Sequence, residues 1–269
     1  MPLLSWHETC QSSPEVQEIR AIQTVSLSFF RFDSLAARVW AFAQMGLARP
    51  AMARLPGIGF WKLCGSGVGE GFTPLPNTAV YAILATWPAP GAARAAVEGG
   101  GVYRRWRARA AESWTVYLAP VSARGNWSGA PPFEVSARPA PGAPVAALTR
   151  ATIRPRALLR FWRRAPAISR VIGQDANVLF KIGIGEVPWL HQVTFSIWPD
   201  TATMATFARK DGPHARAIAA VRAGDWFSEE LYARFRVLGH AGTWGGTDPL
   251  AAAMPRLAAP TPAPIPEPA

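Results

Sequence analysis

Acid is scarce in this chain. Its 269 residues hold 17 aspartates and glutamates against 28 lysines and arginines, for a formal net charge of +11. Paired carboxylates for hydrolytic chemistry are correspondingly few. Glu229 and Glu230 follow Ser228 and read as first-turn residues of a capped helix through "FSEELYARF", where acid complements the helix dipole. Cysteine is nearly absent: Cys10 and Cys64 show no pairing logic, which fits a reducing compartment and excludes a disulfide framework. Histidine occurs 4 times, and no HExxH, CxxC or HxH spacing indicates zinc or non-haem iron. There is no GxSxG elbow, no GxGxxG fingerprint and no GK[ST] ending. The start lacks the basic and apolar regions of a signal peptide, and no apolar run is long enough to span a bilayer. A cytoplasmic protein is expected, with peripheral contact on a membrane face through its basic surface. The arginines are scattered, and no zinc-finger or RNA-binding signature accompanies them. Nucleic acid is not an expected partner.

Apolar residues make up 49% of the chain, and 12 are tryptophan, which suits a sizeable core and large apolar binding surfaces. The organising feature is an internal repeat. Trp87-Pro88 returns as Trp198-Pro199, the string Gly67-Val68-Gly69-Glu70 as Gly183-Ile184-Gly185-Glu186, and Trp127 as Trp244. Because the glycine strings recur in both halves, they read as structural bends or bulges rather than nucleotide loops. Each half reads strand, helix, strand, strand, helix, strand. "TVSLSFF" and "VAALTRATI" alternate as strands, "SLAARVWAFAQM" follows a Ser34 N-cap, and "AVYAILATW" and "HQVTFSIW" stop at their Trp-Pro breaks.

This order is the ferredoxin-like βαββαβ unit. The fold class is therefore α+β: a tandem duplication of ferredoxin-like units, packed sheet against sheet as an intrachain dimeric α/β barrel with an apolar ligand pocket. The expected layout is an N-terminal extension (1–22), a first repeat (23–135), a Pro/Ala-rich linker (136–144), a second repeat (145–250) and a disordered Pro/Ala-rich tail (251–269).

A haem needs only one axial protein ligand, which lowers the demand on the sequence to a single well-placed His, Tyr or Cys. His7 lies in the extension and His240 in a Gly-rich turn. His191 begins a strand and shares the apolar face of Val193, Phe195 and Ile197. His214 follows Pro213 at the start of a helix and shares a stripe with Ala217, Ile218 and Val221. A histidine on such a stripe is often no more than a core residue. At the offset of the Trp-Pro pairs, however, His214 falls opposite Tyr103, so the two halves have diverged there. Tyr103 and His191 stay open as alternative ligands, and Cys64 is a weaker one.

Several long strings, among them "FWKLCGSGVGEGFTPLPNTAVYAILATWP", "ESWTVYLAPVSARGNWSG" and "FKIGIGEVPWLHQVTFSIWPD", resemble the spheroidene monooxygenases of purple phototrophic bacteria over roughly residues 23 to 250. The resemblance implies oxidation of C2 of an acyclic, methoxylated carotenoid to a ketone by dioxygen. It also implies a haem b cofactor and reducing equivalents from ferredoxin. Related haem proteins with ferredoxin-like halves carry an axial His on the second helix of a unit, after a strand ending near a Trp. His214, downstream of Trp198, matches that placement, with Arg209 and Lys210 near enough in sequence to pair haem propionates. A non-catalytic haem- or carotenoid-binding protein of the same fold is the rival reading.

Overall fold

The computed structural model describes residues 22–69, 73–163, 177–209 and 225–254. The first half comprises β1 (Thr24–Arg31), α1 (Leu35–Leu47), α2 (Arg49–Ala53), β2 (Trp61–Gly67), β3 (Pro76–Trp87), α3 (Pro90–Gly99), α4 (Gly101–Arg107) and β4 (Glu112–Gly125). The second comprises β5 (Val145–Ile153), a 3-10 turn (Pro155–Ala157), β6 (Phe180–Gly185), β7 (His191–Trp198), α5 (Thr201–Arg209) and β8 (Phe227–Gly242). Residues 158–163, after that turn, are helical, so the repeat is a βαββαβ unit used twice. The Ser34 hydroxyl caps α1 by accepting from Ala37 N at 3.2 Å. Asp200 does the same for α5, accepting from Thr203 N at 2.7 Å.

The strands close into one antiparallel barrel in the order β1-β3-β2-β6-β7-β5-β8-β4. The halves meet edge to edge at two seams and share one interior, rather than stacking sheet on sheet. The β4·β8 seam is long, running from Trp114↔Gly242 to Gly125↔Leu231. The β2·β6 seam has two pairs only, Gly65↔Gly185 and Ser66↔Ile184. Ile184 and Gly185 belong to the second glycine string, while Gly65 and Ser66 lie just before the first, where the β2·β3 register shifts in a bulge. Gly185 is sterically required there, because a Cβ would stand 2.1 Å from the His191 carbonyl oxygen.

Inward residues alternate along every strand. Val25, Leu27 and Phe29 point into the barrel, while Ser26, Ser28 and Phe30 lie under the helices. With both faces covered, β1 is buried almost throughout, and its serines need partners. Ser28 Oγ lies 2.7 Å from Thr115 Oγ1, and Trp87 Nε1 donates to Ser26 Oγ at 2.8 Å. One end of the interior is aromatic. Phe29, Trp114, Phe180 and Trp244 pack there, the Trp114 and Phe180 rings 4.6 Å apart.

The segment "FSEELYARF" is not a helix. It is the start of β8, with Leu231, Ala233 and Phe235 buried and Tyr232 and Arg234 exposed. That two-residue period, and pairing to β4 on one side and β5 on the other, overrides the local Ser-Glu-Glu helix signal. Among the described residues no helix is long and apolar enough to cross a membrane.

Candidate functional site

The repeated tryptophans mark a repeated turn. Trp127 bridges to Ala130 and Trp244 to Thr247, and the central residues all have positive φ: Ser128 59°, Gly129 82°, Gly245 66° and Gly246 75°. Two adjacent left-handed residues turn both N–H groups toward one point, and a carboxylate sits there. Glu229 accepts from Ser128 N and Gly129 N (3.2 and 2.6 Å), and Glu112 accepts from Gly245 N and Gly246 N (2.9 and 2.8 Å). Arg150 pairs with Glu229, and Arg31 reaches Glu112 at 2.9 Å. Burial opposes ionisation of both acids. The turn N–H groups and the arginines outweigh it and hold both carboxyls below the ordinary glutamate range.

At the Trp127 end the barrel interior is polar. Glu186 accepts from Trp127 Nε1 at 2.5 Å and pairs with Lys62 Nζ at 2.9 Å, and His191 Nδ1 lies 3.4 Å from it. Lys62 also donates to Ser128 Oγ at 2.7 Å, and the Arg150 guanidinium lies 5.7 Å from the centre of the Trp127 ring. Burial raises the pKa of Glu186, but the adjacent His191 imidazole, hydrogen bonds from Lys62 and Trp127, and the Lys62 charge bring it down to about 2. Cys64 is buried in the same interior. Burial, and then the Glu186 charge, push its thiol far up, so it is no thiolate.

A pocket of about 250 Å³ opens beside this cluster, at the short β2·β6 seam. Phe42 and Met45 of α1, Tyr81 of β3, and Pro74, Trp162 and Trp189 line it, as do the polar Glu186, His191 and Gln192. The short seam makes this opening: two paired residues leave the barrel wall thin, and its lining is largely apolar.

The structure distributes the candidate residues as follows. His191 points into the barrel with Val193, Phe195 and Ile197, as its alternation requires, and reaches the pocket. His240 is not in a turn. It lies in β8 opposite Val116, fully buried, 3.4 Å from Trp114 Nε1 and 3.5 Å from Asp248 Oδ1, because β8 runs on to Gly242. Trp198 is buried under α5, donating to Ser196 Oγ at 3.0 Å with its ring 5.0 Å from Phe207. Tyr103 is fully buried on the helix side of the first sheet, and burial raises its phenol pKa strongly. Arg209 ends α5. Lys210 and His214 lie outside the described residues. No cluster of three or more potential metal-ligating side chains occurs among the described residues.

The two halves differ on the sheet face that carries the helices. The paired Phe30 and Tyr81 of the first half correspond to the paired Ala151 and Gln192 of the second, and Ile83 corresponds to Thr194. In the first half these side chains pack with Trp106, whose ring lies 5.2 Å from that of Phe30. In the second, the sheet presents Ala151, Gln192 and Thr194 instead, with no ring among them. Gln192 Oε1 is buried there with no hydrogen-bond partner among the described residues. A face stripped of bulk, with an unsatisfied acceptor at its edge, fits a flat, largely apolar group.

Two ferredoxin-like units joined in one chain and closed edge to edge define an intrachain α/β barrel. The same fold occurs in two solved aldoxime dehydratase structures, one of them a co-crystal with butyraldoxime. They share 13% and 10% identity with this chain and have TM-scores of 0.53 and 0.51, each aligning over 81% of it and 82% or 80% of the other. No family model matches the chain. Its sequence is 54% identical over 228 residues to the spheroidene monooxygenase of Rhodobacter capsulatus, covering 84% of this chain and 95% of that one. It is 51% identical over 249 residues to that of Cereibacter sphaeroides, covering 92% and 77%. A third, from Rubrivivax gelatinosus, is 36% identical over 211 residues, covering 78% and 81%. The chain belongs to the spheroidene monooxygenase family, a family of oxidoreductases.

The interior polar cluster was not found from sequence. Its members come from β2, β5, β7, β8 and two loops, and no local string brings them together. One signal was available: Lys62 and Ser66 occupy the inward positions of β2 on either side of Cys64, where an apolar residue is the norm.

Proposed function

We propose that this protein oxidises C2 of a spheroidene-type acyclic carotenoid to a ketone, using dioxygen and reduced ferredoxin. The observation that carries this reading is the 54% identity to a spheroidene monooxygenase along 95% of that protein's length. The apolar pocket at the β2·β6 seam suits one end of a long polyene. Haem b, when bound, supplies the dioxygen chemistry needed at an unactivated carbon, which no side chain provides alone.

The chain's own residues would do the rest. His214 would hold the haem iron, with His191 and Tyr103 as the alternatives. Arg209 is the proposed partner of a propionate, and Trp198 supports the sheet beneath. Gln192 offers a hydrogen-bond acceptor on the same face. Phe42, Tyr81 and Trp189 grip the polyene and exclude water from the reacting end. Two successive hydroxylations at one carbon give a geminal diol, and loss of water leaves the ketone. The excess of positive charge favours docking of an acidic ferredoxin.

Absorption spectra of the purified protein with added haem test the ligand. The Soret band is expected to disappear in His214→Ala and to persist in His191→Ala. The reverse pattern makes His191 the ligand. Oxygen-dependent conversion of spheroidene separates this reading from a non-catalytic binding protein.

A further inference from the structure

The exposed side of α1 carries no polar residue. Leu35 (78% exposed), Val39 (62%), Phe42 (70%) and Leu47 (72%) line it, with only alanine and glycine between them. The polar residues of this helix, Arg38 and Gln44, are only half-exposed. A helix whose solvent side is apolar needs cover there too, and 13 residues are too few to span a bilayer. The stripe runs into the pocket mouth through Phe42. Trp189, which also lines the pocket, is exposed, as is Leu75 between the lining residues Pro74 and Pro76. Trp189 holds an uncommon φ of 65°, and its indole N–H is tied to Pro74 O at 2.7 Å while 52% of the residue faces solvent. An indole with its N–H satisfied and its ring exposed suits a membrane–water interface.

Charge selects the occupant. No acidic residue occurs between Asp33 and Glu70, whereas Arg38, Arg49 and Arg54 flank the stripe. A second copy docking through the same face would set these arginines against their own equivalents. An anionic bilayer would satisfy them. We propose that this face docks on an anionic lipid surface, with α1 lying in the interface and the pocket mouth turned toward the acyl chains. The lipid contact stands on the surface itself; that the mouth admits a carotenoid from the bilayer rests on the function proposed above.

The test is flotation of the full chain with vesicles of phosphatidylcholine, with and without phosphatidylglycerol, for the wild type and Val39→Gln/Leu47→Gln. Glutamine keeps helix propensity, and neither residue lines the pocket. The wild type is expected to float with the anionic vesicles and to lose binding at high salt. The double variant should bind them roughly tenfold or more weakly. Val39→Leu, which keeps the apolar face, should bind like the wild type. Turnover of spheroidene in detergent micelles should be equal in all three. Failure of the wild type to float, or flotation of the double variant equal to it, overturns the proposal. So does a wild-type dimer in solution that the double variant dissociates, since a second copy then covers the face. Flotation without turnover leaves the surface standing and overturns the functional reading instead.

Discussion

Replacing Glu186 by glutamine isolates the ion cluster at the polar end of the barrel. The carboxyl lies at about 2 in the folded chain against an ordinary 4.5. A depressed acid contributes stability that is present above its unfolded pKa and is lost as pH falls through the folded one. Converted at about 1.4 kcal/mol per unit, the difference sets a ceiling of about 3 kcal/mol. The side chain is 15% exposed and borders an open pocket, so solvent screening cuts this to about 2 kcal/mol. Glutamine keeps an acceptor for Trp127, and Lys62 keeps Ser128, so no larger penalty from stranded partners is expected. Urea unfolding should therefore place Glu186→Gln about 2 kcal/mol below the wild type at neutral pH. The gap should hold down to about pH 5 and shrink by roughly half near pH 3. An equal stability at neutral pH, or a gap that stays constant into acid, would refute the account of this cluster.

Four further outcomes follow from the same geometry. Arg150→Met removes a buried guanidinium from its pair with the half-buried Glu229 and should cost about 2 kcal/mol, whereas Arg31→Met, whose guanidinium is largely solvated, should cost under about 1 kcal/mol; paired denaturation curves check this, and equal losses would contradict it. Gly125→Ala and Gly242→Ala each set a Cβ 2.1 Å from a carbonyl oxygen at positive φ. Each should lose about 3 kcal/mol or more, and the double variant should lose roughly their sum in the same assay. Cys64 should resist iodoacetamide in the native protein and react on unfolding, as peptide mass spectrometry would report, because burial keeps the thiol protonated. The Soret band should follow His214 and survive Tyr103→Phe, a change confined to the first half's core.

The duplicated βαββαβ order was legible because it repeats: Trp87 and Trp198 end equivalent strands, and a glycine from each half, Gly65 and Gly185, meets at the short seam. Turn residues and strand alternation are local properties, and sequence carries them well. Two readings were displaced by long-range pairing. "FSEELYARF" has a helix signal within itself, but β4 and β5 hold it as a strand. His240 sits among glycines, yet β8 continues past it into the barrel. The polar cluster was invisible for a related reason: Lys62, Arg150, Glu186 and Glu229 are neighbours only after the barrel closes. The manner of closure, edges joined rather than faces stacked, likewise depends on which strands find each other.

The two carboxylate-held turns are reciprocal. Glu229 of the second half grips the turn at Ser128 and Gly129 of the first, and Glu112 of the first grips the turn at Gly245 and Gly246 of the second. In a symmetric pair of separate half-chains these would be one contact made twice, which is the hallmark of an isologous interface. A fused descendant inherits both clasps but is freed from keeping its ends alike. One mouth of the barrel could then fill with rings and the other with charge, a division of labour that two identical subunits could not have adopted.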